Sequence, residues 1–91
     1  MFEILYTPKA QNDIAFFKIN SPKDYRKCVK FVEEIKIHPR KGTGHPEQLR
    51  HTEPDERWSR KINKKDRMVY LIDVEAKTIA ITSCRGHYGD K

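Results

Sequence analysis

At 91 residues the chain has room for one domain with a modest core. Two cysteines are too few for a disulfide-stapled secreted scaffold, and no stretch approaches the apolar length that a bilayer span needs. Charged residues make up 35% of the chain, and nineteen Lys and Arg against thirteen Asp and Glu leave a net charge of +6. That excess is the footprint expected of a protein that meets a polyanion, nucleic acid foremost, or an acidic protein partner.

Residues 2–6 read as an opening or edge strand. Thr7-Pro8 then forms an N-cap with Pro at the first helical position, and Ala10, Ile14 and Phe17 recur at helical spacing, which predicts a first helix over about 8–19. Ser21-Pro22 repeats the start signal. Tyr25, Cys28, Val29, Val32 and Ile35 make one apolar stripe of a second helix that ends near His38, because Pro39 disfavours helical geometry at the residue before it. Residues 39–55 carry Gly42, Gly44, Pro46 and Pro54 and few apolar residues, and read as a loop with one helical turn around 47–51. Three strands follow, at 57–63, 67–74 and 78–84, with Lys64-Lys65 and Glu75-Ala76 at the turns. On the first of these, Trp58, Arg60 and Ile62 share one face, and Ser59 and Lys61 the other. The expectation is an α+β fold of order β-α-α-β-β-β: a small antiparallel meander with an N-terminal strand and a helical hairpin packed on one face, all in a single domain spanning 1–91.

Charge alone weighs nucleic acid equally against a domain that is basic for no specific reason. Cutting RNA without a metal needs a group to take the 2′-hydroxyl proton, cations to stabilise the phosphate's charge, and an acid for the departing 5′-oxygen. Glu47, Arg60, Lys61, Arg67, Arg85 and His87 with Tyr88 supply the residue types. Taken singly, each has a plainer reading. Glu47 is a solvated loop carboxylate, Arg67 a surface ion-pair partner of Asp66 or Asp73, His87 an idle terminal residue, and Trp58 a packing residue rather than a base-stacking one. Cys84-x-x-His87 with His38, His45 and His51 lacks the paired spacing of a zinc site, and Gly42-x-Gly44 lacks the lysine ending of a phosphate loop.

The arrangement is more specific than its parts. Gly42-Thr43-Gly44-His45-Pro46-Glu47 comes first, then Trp58-Ser59-Arg60, then Arg67-Met68-Val69-Tyr70, and last Cys84-Arg85-Gly86-His87-Tyr88. In this order and at these spacings the set resembles the YoeB/Txe family of toxins within the RelE superfamily, over nearly the whole chain. The resemblance implies the toxin of a type II toxin–antitoxin system. It would be a metal- and cofactor-independent endoribonuclease that cleaves messenger RNA in the ribosomal A site, leaving a 2′,3′-cyclic phosphate and a 5′-hydroxyl. It also implies a cognate YefM/Axe-like antitoxin and homodimers in some members; the cytoplasmic setting is expected from the opening Met1-Phe2-Glu3-Ile4-Leu5, which is too acidic and short for a signal peptide. By the same resemblance Glu47 is the general base, Arg67 stabilises the phosphate, His87 is the general acid and Tyr88 holds the nucleotide. Arg50, His51, Trp58, Arg60, Lys61 and Arg85 would contact RNA. Lys61 stands where the family sometimes has Arg, which keeps the charge and loses the bidentate fork, and Gly89-Asp90-Lys91 extends past the usual terminal Tyr. The competing reading is a non-catalytic toxin of the same fold, or an RNA- or ribosome-binding module, acting by binding alone.

Overall fold

The computed structural model describes residues 1–49 and 56–86. Its elements run β1 (Glu3–Tyr6), α1 (Pro8–Asn20), α2 (Pro22–Ile37), β2 (Glu47–Leu49), β3 (Glu56–Lys61), β4 (Arg67–Asp73) and β5 (Thr78–Ser83). The strands form one sheet in the order β1-β5-β4-β3-β2. Strands β3 to β5 are the antiparallel meander expected, β2 extends it at one edge, and β1 adds to the other in parallel with β5. This is the two-layer α+β fold that the sequence predicts.

The helix signals act as written. Thr7 Oγ1 accepts the Ala10 N–H at 3.1 Å and donates to the Thr82 carbonyl at 2.8 Å, so the cap that starts α1 also ties it to β5. The Ser21 N–H closes α1 on the Phe17 carbonyl, and Pro22 opens α2 one residue later. The buried stripe of α2 is Cys28, Phe31, Val32 and Ile35. Val29, expected in that stripe, is 43% exposed, and Phe31 takes its place. Rotating the helix by that amount buries the larger ring, which removes more area from water.

The helices cover one face only. Their apolar residues pack with Ile62, Met68, Tyr70, Ile72, Ile79, Ile81 and Cys84. Strand alternation puts the neighbours of these residues on the opposite face, which neither α1 nor α2 covers and on which Ser59 and Val69 are still buried. Cross-strand pairing then groups that second face into rows. Glu47 lies opposite Ser59, Ser59 opposite Val69, and Val69 opposite Ser83. One row along, Lys61 lies opposite Arg67, and on the other side Leu49, Arg57 and Leu71 align.

Residues 47–49 are a strand and not the helical turn expected there. The free edge of β3 offers unpaired backbone groups to whatever segment follows the loop, and a strand satisfies them where an isolated turn does not. The chain is aimed at that edge by Gly42, Gly44 and His45, all at positive φ (131°, 82° and 51°). Gly44 is required for a second reason: a Cβ there would stand 2.5 Å from Phe31 Cζ. Among the described residues no helix is long and apolar enough to cross a membrane.

Candidate active site

Glu47 and Arg67 belong to strands separated by β3, yet their side chains meet across it. The carboxylate oxygen Oε1 and the guanidinium Nη1 are 3.7 Å apart, with 67% and 33% of the respective side chains exposed. Two strand spacings plus an offset of two residues is a long reach, spanned here by two long side chains leaning over Ser59, whose small side chain leaves the path open. At 3.7 Å the contact is an ion pair and not a hydrogen bond, and on an exposed face such a pair holds weakly. Glu47 is thereby oriented but not locked, and Arg67 can turn its fork to a phosphate.

Lys61 shares this face and is exposed beside Arg67. So does Arg57, which sequence reading missed. The signal was present, since the alternation that puts Ser59 and Lys61 on one face of β3 puts Arg57 there too. Arg57, Lys61 and Arg67 therefore share one sheet face with the Glu47 carboxylate. The basic character continues past Lys61 into a cleft of about 410 Å³ that Lys27, Lys30 and Lys64 also line.

Two residues expected to contact RNA are placed elsewhere. Trp58 lies on the helix-facing side of β3, packs in part against the core and donates its Nε1–H to Glu56 Oε1 at 3.1 Å. Arg60 is fully buried. Its five N–H bonds go to Tyr70 Oη (3.1 Å), Glu34 Oε1 (2.7 Å) and the carbonyls of Thr43 (3.2 Å), His38 (3.0 Å) and Lys41 (2.9 Å). The Tyr70 hydroxyl in turn donates to the Pro39 carbonyl at 2.7 Å. No donor of Arg60 is left for a phosphate. Its work is to fasten the loop that delivers Glu47 to β2, with Lys61 N–H adding a bond to the Gly44 carbonyl at 2.7 Å. Arg85 stacks its guanidinium 3.6 Å from the centre of the Phe16 ring on α1. Arg50, His51, His87 and Tyr88 lie outside the described residues.

Glu34 completes the loop anchor. Burial alone would raise its carboxyl, but the Thr43 backbone N–H and hydroxyl and the Arg60 guanidinium outweigh that and hold it below its ordinary value of 4.5. A folded-state value below the unfolded one means stabilisation that is complete above the ordinary carboxylate range and lost as pH falls through the lowered value. Glu34→Gln is therefore expected to be less stable than the parent near neutrality. It should also lose less stability on acidification to about pH 3, as read from urea midpoints across that range. Equal acid sensitivity in the two proteins would count against the anchor.

Residues 6–88 match the model of the YoeB-like toxin of bacterial type II toxin–antitoxin systems. The chain belongs to that family. Toxin YoeB of a Synechocystis species is 33% identical over 86 residues, which are 94% of this chain and 96% of that protein. The YoeB/ParE toxin from Agrobacterium tumefaciens superposes with a TM-score of 0.85 at 25% identity, covering 96% of this chain and all of the other. The Staphylococcus aureus YoeB, 32% identical, has been solved as a dimer (TM-score 0.82, covering 96% of this chain and 98% of that one) and in a YoeB–YefM complex (TM-score 0.78, covering 97% and 99%). The family match takes in Glu47, Arg67, His87 and Tyr88 alike, so the residues that sequence analysis singled out all lie within the matched region.

Proposed function

We propose that this toxin is an endoribonuclease that cleaves messenger RNA in the ribosomal A site by metal-independent acid–base chemistry. The observation that carries the reading is the Glu47–Arg67 contact on the sheet face turned away from α1 and α2, with Lys61 on the same face. In this scheme Glu47 takes the proton of the 2′-hydroxyl, and the 2′-oxygen attacks the adjacent phosphorus. Arg67 and Lys61 stabilise the extra negative charge on the pentacoordinate phosphate. The bond from phosphorus to the 5′-oxygen breaks, and that oxygen takes a proton from His87, leaving a 2′,3′-cyclic phosphate and a 5′-hydroxyl. The lysine-lined cleft next to Lys61 suits the phosphates of flanking RNA. The inhibitor would be an antitoxin of the YefM kind, the partner that the Staphylococcus aureus relative carries in its complex.

The test is cleavage mapping on ribosomes programmed with a defined messenger, beside free RNA in EDTA. A cut within the A-site codon with a cyclic phosphate at its 3′ end is the expected product. A folded protein that arrests growth and cuts neither substrate would replace this reading with the binding-only one.

A further inference from the structure

Strand β5 ends at Ser83, and the next three residues have left the ladder. A short segment near a chain end normally frays unless something ties it down. Here three successive backbone N–H groups are each taken by a carboxylate from another element. Asp13 Oδ2, on α1, accepts from Cys84 at 2.9 Å and from Arg85 at 3.1 Å. Asp66 Oδ1, in the β3–β4 turn, accepts from Gly86 at 2.9 Å. The Arg67 N–H donates back to the Gly86 carbonyl at 3.3 Å, so the backbone of Arg67 and that of residue 86 are bound to each other.

Both carboxylates are 6% exposed. Burying an ionised carboxylate is costly unless its oxygens are well bonded, so its presence in so small a core calls for a reason. Asp13 is also held by Lys9 at 2.8 Å, and Asp66 Oδ2 by Asn63 Nδ2 at 2.9 Å. Burial would raise the Asp13 carboxyl, but the two backbone N–H groups and the Lys9 ammonium pull it below its ordinary value, and it remains a charged acceptor.

We propose that Asp13 and Asp66 are positioning residues of the cleavage reaction. Together they clamp the backbone of Cys84-Arg85-Gly86, the stretch that leads directly to His87 and Tyr88, and Asp66 sets it in register with Arg67. The inference rests on the proposed chemistry, in which Glu47 and His87 act on opposite sides of one phosphorus and Arg67 meets the charge on its oxygens. An acid attached to a loose backbone would be out of line with the leaving oxygen, and a misplacement of about 1 Å costs on the order of 10²-fold in rate.

The experiment compares single-turnover cleavage of programmed ribosomes by the parent, Asp13→Ala, Asp66→Ala and the two Asn variants. Amide exchange at Gly86 and thermal unfolding are measured on each. The alanine variants are expected to lose roughly 10–100-fold in the cleavage rate at saturation, with half-saturation unchanged within about twofold. Asn retains an acceptor oxygen, so the Asn variants should recover to within about fivefold of the parent. Folded alanine variants that cleave at the parental rate would overturn the positioning role alone. A parent that does not cleave would overturn the proposed function and this role with it. If the alanine variants do not fold, the Asn pair decides: faster Gly86 exchange with a matching loss of rate supports the clamp, and faster exchange at an unchanged rate overturns it.

Discussion

Glu47→Gln is expected to lower the cleavage rate by roughly 10²–10⁴-fold, the usual contribution of a positioned base, while leaving stability and ribosome binding close to parental. The separation follows from where the residue sits. Its backbone is held by pairing with Ser59, which Gln does not disturb. Its side chain is 67% exposed, and its ion pair to Arg67 at 3.7 Å is of the exposed kind that adds about 0–1 kcal/mol. Gln has the same shape and can still lean towards Arg67, but it cannot accept the 2′-hydroxyl proton. Single-turnover cleavage and a urea midpoint, measured on the same preparation, give the comparison. A variant that cleaves at the parental rate would mean that another group is the base, and one that loses its midpoint would mean that Glu47 is a structural residue.

Arg60→Met is expected to do the reverse and destabilise the fold by about 3–5 kcal/mol, the cost of removing one partner from a buried charge network. Met matches much of the aliphatic volume, so the loss isolates the guanidinium. Without it the carbonyls of His38, Lys41 and Thr43 and the carboxylate of Glu34 all lose a donor. A domain of this size has only about 5–15 kcal/mol in all, so the urea midpoint should fall far. Activity would fail with it because the loop ending at Glu47 loses its anchor. Arg60→Lys should rescue little, since three N–H donors on one atom cannot reach acceptors that a planar fork spreads over four residues and a tyrosine. If Arg60 were instead an RNA contact, Arg60→Met would keep its midpoint and lose only affinity.

These two residues mark the boundary between what sequence and structure each decided. Local signals were sufficient for the helices: Thr7-Pro8 and Ser21-Pro22 start them and Pro39 follows the end of the second, because caps and proline act within a few residues of themselves. Alternation was sufficient for β4 and β5, and the ordered motifs were sufficient for the family; that the side chains of Glu47 and Arg67 meet came from the fold. Residues 47–49 were misread as a helical turn because the deciding factor, the open edge of β3, is supplied by residues eight to twelve positions away. Alternation put Arg60 and Trp58 on the same face of β3, but only the packing of α2 shows that this face is the covered one. Asp13 sits between Ala10 and Phe17 on the buried side of α1, a charge among apolar positions that the sequence displays. Its partners lie 71 and 72 residues further along the chain. Periodicity identifies which residues share a face. Which face is covered, and which distant backbone a buried charge holds, depend on contacts between segments remote in sequence, and the tertiary structure alone decided them.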